Sequence, residues 1–303
     1  MTTKTWVQVG SSLPIFSWRA PQNWTPTGTP QAGDNLIMVA GQMDIIDSKL
    51  PAELHLGPGV NQLATGPITL NLVSGGATLG VAGATPANHT YSNFNYGFTV
   101  NAYGDEGKDY LTADNLRMVQ GDVNIVGVGE RGPPTLVVTG KMEFAYSGHI
   151  NGPGTLTNNG DIIIADGSIS AHVNGHGTLE MNQYHDRVGV QTISGAVDKG
   201  QTVKLTFNTQ DVRTELVHPE TFKAKLDIAP GDYVSQSGKT ATLLLDGIHA
   251  AEMDIRGDML LLSLERGPPL WSVHEHMPAG MTASMTNTAA GTEIVFIPHP
   301  LVG

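Results

Sequence analysis

The 303-residue sequence has no cysteine, and only 15% of its residues are charged and 6% aromatic. Without cysteine no disulfide can hold it, which argues against a stapled eukaryotic secreted domain and is common among exported bacterial proteins. So little charge combined with many β-formers excludes a disordered chain. Basic residues are scarce, 16 against 28 acidic ones, for a formal charge of −12. Nucleic acid is thereby excluded as a partner, because phosphate binding needs a clustered Lys/Arg surface. No apolar stretch is long enough for a transmembrane helix, so membrane insertion is not expected. No sustained 3.6-residue apolar period occurs, so helices are not the framework. The opening Met1-Thr2-Thr3-Lys4-Thr5-Trp6 lacks the apolar core of a secretory signal. Export after removal of a signal, or by a route that needs none, is favoured over retention inside the cell. The expected location is extracellular, at the bacterial cell surface.

What is present is glycine, proline and repetition. Thirty-seven glycines and 18 prolines punctuate short runs of Val, Ile, Leu and Thr, as many strands joined by tight turns require. His149-Ile150-Asn151-Gly152-Pro153-Gly154-Thr155-Leu156 returns 23 positions later as His172-Val173-Asn174-Gly175-His176-Gly177-Thr178-Leu179. A period in the low twenties suits one turn of a β-solenoid. The expected fold is all-β: a parallel, right-handed β-solenoid with an N-terminal cap and a C-terminal β module. In that register His149 lies over His172 and Asn151 over Asn174, about 4.8 Å apart. Such asparagines can form a hydrogen-bonded ladder, expected inside the solenoid in preference to a ligand-binding surface row.

Three regions are expected. Residues 1–35 hold Trp6, Trp18 and Trp24 among four prolines and read as a cap over the open end of the core, with an aromatic carbohydrate platform as the lesser reading. Within them Thr5-Trp6-Val7-Gln8-Val9 alternates polar and apolar residues. Trp6, Val7 and Val9 could pair this strand with its own sheet or donate it to a neighbouring subunit, building a filament. Residues 36–189 read as coils, with an irregular insertion near 84–118. Thr-Leu pairs at 135, 155 and 178 mark the coil steps. Residues 190–303 read as a C-terminal β module that could continue the solenoid, and Glu-Arg-Gly-Pro-Pro at 130–134 and 265–269 reads as one turn used twice.

Two segments resemble the passenger regions of bacterial secreted adhesins, including autotransporter-type surface proteins. One is Trp18-Arg19-Ala20-Pro21-Gln22-Asn23-Trp24 followed by Gly28-Thr29-Pro30-Gln31-Ala32-Gly33-Asp34. The other is Gly195-Ala196-Val197-Asp198-Lys199-Gly200-Gln201-Thr202-Val203, with Leu216, Pro219, Phe222 and Ile228-Ala229-Pro230-Gly231-Asp232. Ala224 and Ala229 depart from the glycine and the aromatic usual in the closing module. The resemblance implies a solenoid scaffold more than an activity.

Chemistry is sparse. His274-Glu275-His276 has metal-ligand spacing if it lies on a strand, where alternate residues share a face. Trp271 and Pro278 favour a solvated loop instead. Asp105, Glu106 and Asp109 could hold Ca²⁺, against the favoured reading of a solvated turn. Tyr184-His185-Asp186 would need a bend to converge. No nucleophile elbow, Walker loop or His-Glu-x-x-His string is present. No cofactor other than possible Ca²⁺ is implied. The expected function is a non-enzymatic extracellular structural or adhesion protein, a self-assembling surface, matrix or filament subunit. Its partner is then itself or cell-surface polysaccharide, and a β-helix protein that binds or degrades polysaccharide is the alternative.

Overall fold

The fold comes from a computed structural model that describes residues 2–8, 17–46, 49–56, 66–73, 75–80, 97–103, 108–126, 134–183, 190–207, 211–230, 239–265 and 267–298. The described chain is all-β, with a largely parallel sheet wound coil upon coil into a solenoid-like body. Its strands fall into three stacks. Stack 1 runs from Thr3–Trp6 through Asn35–Met38, Leu54–Leu56, Gly76–Gly80 and the first parts of Lys108–Ile125 and Thr135–Asn151. It continues through Thr155–Asn158 and His172–Gly175 to single bridges at Val197 and Phe222. Stack 2 comprises the middles of the two long strands, then Asp161–Ala165, Thr178–Asn182, Thr202–Phe207 and Lys225–Pro230. Stack 3 runs from Gly41–Ile46 through Ile68–Val73, Phe98–Ala102 and the ends of the long strands. It closes with Ser168–Ile169, Gln191–Ile193, Val212–Leu216 and Ala241–Asp246.

Parallel register lines up residues of like orientation, so the core consists of columns. Leu136, Leu156, Val173, Val197 and Phe222 form the stack 1 column, Met142, Ile162, Leu179, Val203 and Leu226 that of stack 2, and Ile150, Ile169, Ile193, Leu216 and Leu245 that of stack 3. All are buried. Each such side chain contributes about 1.5–3 kcal/mol on burial.

The register corrects the expected 23-residue step. His149 pairs with Ser168 and Asp122, whereas His172 pairs with Thr155. Along the stack 1 column the step from Leu136 is 20, then 17, 24 and 25 residues. The octapeptide instead encodes a corner that the chain uses at two different places. Its first copy ends a stack 3 strand and opens the stack 1 strand at Thr155, and its second ends a stack 1 strand and opens the stack 2 strand at Thr178. Thr135 and Thr155 are therefore stacked, and Thr178 is not. The shared glycine has a physical cause: Gly152 and Gly175 have φ of +127° and +100°, and an added Cβ would overlap the carbonyl oxygens of Ile125 and Asn158 on the coil below.

Two boundaries also move. Within 84–118, Phe98–Ala102 and the first part of Lys108–Ile125 are regular strands in the stacks, so the irregular reading fails there. Polar residues such as Asn101 face outward on these strands, which hid their pattern. Beyond residue 190 the parallel coils continue as far as Asp246, and antiparallel strand pairs dominate only after that residue.

At the start, Thr3–Trp6 is paired on both sides, parallel to Asn35–Met38 and antiparallel to Trp24–Thr25. Trp6, Trp18 and Trp24 are all buried. The Trp6 and Trp24 rings meet edge to face at 5.3 Å, and Trp24 Nε1 donates to the Trp18 carbonyl at 2.8 Å. Asp34 ties this segment down, accepting from the Thr2 and Gln31 amides at 3.1 and 3.0 Å. The Gln31 bond holds its carboxyl below the ordinary value.

At the other end, Pro269–His276 extends stack 2 in parallel and Gly291–Pro298 lies antiparallel beside Ala241–Asp246 of stack 3. Buried Trp271 donates from Nε1 to the Pro219 carbonyl at 2.9 Å, close to Phe222 where stack 1 ends. A small antiparallel sheet of Glu252–Arg256, Met259–Ser263 and Pro269–His276 completes this end.

Trp24→Ala should cost about 3–5 kcal/mol in chemical denaturation. Gly152→Ala should lower stability more than Gly247→Ala. A Cβ at Gly247 meets nothing within 4 Å and its φ of +69° lies in the left-handed region open to other residues, whereas Gly152 at φ +127° adds both backbone strain and the overlap with the Ile125 carbonyl, so its denaturation midpoint should fall further.

Candidate functional site

An asparagine ladder exists, although on different rungs and on the outward side of stack 3. Asn71 Nδ2 donates to Asp44 Oδ1 at 2.7 Å, Asn101 to Asn71 at 2.9 Å, Asn124 to Asn101 at 3.0 Å and Asn151 to Asn124 at 3.1 Å. Asn151 is thus a rung, but its partner is Asn124, and Asn174 pairs in register with Thr157 on another stack. The ladder faces outward because its flanking residues, such as Leu70 and Leu72, fill the core. It ends on a carboxylate, and every amide donates toward Asp44, so the bonds polarise one another in one direction. The sequence carries the signal as Met43-Asp44-Ile45, Leu70-Asn71-Leu72, Val100-Asn101-Ala102 and Val123-Asn124-Ile125. Unequal intervals of 27, 30 and 23 residues conceal it from a search for one period.

Beside the ladder, His149 lies between two hydroxyls, with Nε2 at 3.2 Å from Ser147 Oγ and Nδ1 at 2.9 Å from Ser168 Oγ. Acyl transfer needs a carboxylate on one imidazole nitrogen and the nucleophile on the other. Among the described residues no carboxylate hydrogen-bonds His149, and the arrangement is a polar surface cluster. His172 instead meets Asp198, Nε2 to Oδ1 at 3.2 Å.

His274 and His276 lie on a strand, not in a loop, and share its exposed side. Each ring is held by a different carboxylate: His274 Nδ1 is 3.1 Å from Asp258 Oδ2, and His276 Nδ1 is 2.8 Å from Asp227 Oδ1. The hydrogen bond from His274 holds the Asp258 carboxyl below its ordinary value. Among the described residues no three His, Asp or Glu side chains converge as a metal site would require. Glu275 points the opposite way, into the core, as the register partner of Leu226 at the end of the stack 2 column. Its Oε2 is buried without a hydrogen bond, and burial raises its pKa above the ordinary 4.5 despite the nearby His276 charge.

The Ca²⁺ reading is corrected in part. Asp109 faces inward, fully buried, and Oδ1 accepts the Gly75 amide at 3.2 Å, so it cannot join an exposed carboxylate loop. Asp105, Glu106, Tyr184, His185, Asp186 and Val9 lie outside the described residues. Of the proposed assembly residues, Trp6, Trp18 and Trp24 are buried and Val7 is 44% exposed.

Sequence reasoning missed the free strand edge at the C-terminal end. Met281–Asn287 pairs on one side only, with Gly291–Pro298, among the described residues. Thr282, Ser284, Thr286 and Asn287 are exposed, and the strand carries no charge. Glu252–Arg256, also paired on one side only among the described residues, exposes Glu252, Asp254 and Arg256, which is how natural sheets discourage pairing.

Comparison of the chain with known family models, with curated proteins and with solved structures finds no match.

Asn124→Ala removes one rung, leaving the Asn101 side-chain oxygen without its ladder donor and the Asn151 amide without its ladder acceptor, at an expected cost of about 1–3 kcal/mol by urea denaturation. Glu275→Leu should raise the melting temperature at pH 7. The native carboxyl holds its proton more tightly than the unfolded one, so its penalty grows as pH rises past 4.5. The advantage of the variant should therefore shrink when the comparison is repeated at about pH 4.

Proposed function

We propose that this protein is a non-enzymatic structural or adhesion protein of the bacterial cell exterior. It is a right-handed solenoid, in keeping with the handedness of nearly all parallel crossovers. Trp6, Trp18 and Trp24 serve as its N-terminal cap, and the antiparallel strands after residue 250 close its other end. The observation that carries the reading is the bare, uncharged Met281–Asn287 edge in a chain of net charge −12. Thr3–Trp6 is already paired on both sides, so strand donation from the start of the chain would first have to break those pairings. Self-association instead uses the other end. Two copies pair Met281–Asn287 antiparallel across a twofold axis, where neither strand brings a charge. The low charge, the absence of cysteine and the passenger-like turn strings support an exported scaffold.

Sedimentation over a range of concentrations tests this reading. The wild type should form a dimer, and Ser284→Lys should be monomeric with unchanged circular dichroism and the melting temperature of the wild type diluted to monomer. A wild type that stays monomeric at high concentration, with and without Ca²⁺, overturns self-association, as does a Ser284→Lys variant that still dimerises.

A further inference from the structure

The bend between stacks 1 and 2 turns on glycine in three successive coils. An added Cβ on Gly140 would overlap the Ala113 carbonyl oxygen, one on Gly160 that of Gly140, and one on Gly177 that of Gly160. No side chain can rise from this bend, and an open groove of about 490 Å³ runs beside it along the axis. The residues after the glycines, Lys141, Asp161 and Thr178, stack in register as one wall. The residues before them, Asn159 and His176, line the other side. Lys141 and Asp161 are register partners but form no ion pair, and among the described residues no side-chain partner engages Lys141, Asp161 or the His176 ring.

The chemistry of the groove narrows what could fill it. Its walls offer an ammonium, a carboxylate, an imidazole, an amide and a hydroxyl, and the apolar share, which includes Ala113, is too small for a lipid or a greasy small molecule. A peptide strand would need free backbone edges, and the strands flanking this bend are paired with the coils on either side. A chain of −12 charge does not attract a polyphosphate. A hydroxyl-rich ligand satisfies every group present. The groove repeats its donors and acceptors once per coil, about every 4.8 Å, close to the length of one sugar ring in an extended chain. Backbone exposed at the glycines lets such a ring approach closely.

We propose that this groove binds an extended oligosaccharide lying along the solenoid axis, one sugar per coil over three coils. This site does not depend on pairing through Met281–Asn287.

An array of defined oligosaccharides, neutral and uronate-containing, followed by titration calorimetry with the best tetrasaccharide, tests the proposal. The wild type should bind at least one extended glycan, and its monosaccharide should not compete. The double variant Lys141→Ala/Asp161→Ala should bind about tenfold or more weakly, since each change removes a charged hydrogen-bonding group. Both positions are on the surface, and an unchanged melting curve should show that the fold is intact. Binding that survives the double variant, or no binding to any arrayed glycan, overturns the proposal. Ser284→Lys should bind as the wild type does, which separates failure of this site from failure of self-association.

Discussion

Parallel strands in successive coils sit about 4.8 Å apart, so a residue in one coil lies directly against its register partner in the next. A choice made at one position is therefore imposed on the whole column. Inward columns are apolar, as that of Ile150 is, and the Leu136 column departs from this at Asp109, whose buried carboxylate accepts the Gly75 amide. Outward columns must be able to lie against their own kind or a complement. Asparagine solves this with a donor and an acceptor on one side chain, so that Asn71, Asn101, Asn124 and Asn151 satisfy one another. Charge solves it by alternation: Lys204 lies between Glu180 and Asp227 in register and reaches Glu180 at 3.4 Å.

The same constraint explains where the glycines fall. A coil that turns sharply presses its backbone on the carbonyl below, and at Gly152, Gly175, Gly140 and Gly160 there is no room for a Cβ. Corners are thus fixed by contact between coils, while the arcs between corners can vary in length. This is why the repeated octapeptide marks a corner and carries no register. It also links fold to proposed function, because a bend that excludes side chains over three coils leaves a groove walled by whatever residues flank the glycines.

At both ends of the described coils the pairing turns antiparallel. Three tryptophans gather at the start and the fourth lies against Pro219 at the finish. Glu275 shows what happens when a column ends on the wrong residue, since its carboxyl occupies a core position without a hydrogen bond. Charged Glu252–Arg256 and uncharged Met281–Asn287 are both free edges among the described residues, and the charges on the first discourage pairing there.

The all-β class, the coil-like repetition and the burial of the tryptophans were legible because they depend on local pattern: glycine and proline spacing, period-two alternation and aromatic composition. The corner glycines were legible for the same reason. Register was not. It depends on arc lengths between corners, whose sum over one coil varies from 17 to 25 residues along the stack 1 column from Leu136 onward, so His149 met Ser168 in place of His172. The strand bearing His274 and His276 read as a loop because of Trp271 and Pro278, while the strands that pair with it, Met259–Ser263 and Lys225–Pro230, are fixed only by the tertiary fold. The groove was hidden too, because Lys141, Asp161 and His176 become neighbours only when three coils stack. Composition and local spacing determined what kind of coil this chain makes, and the vertical contact between coils decided which residues meet.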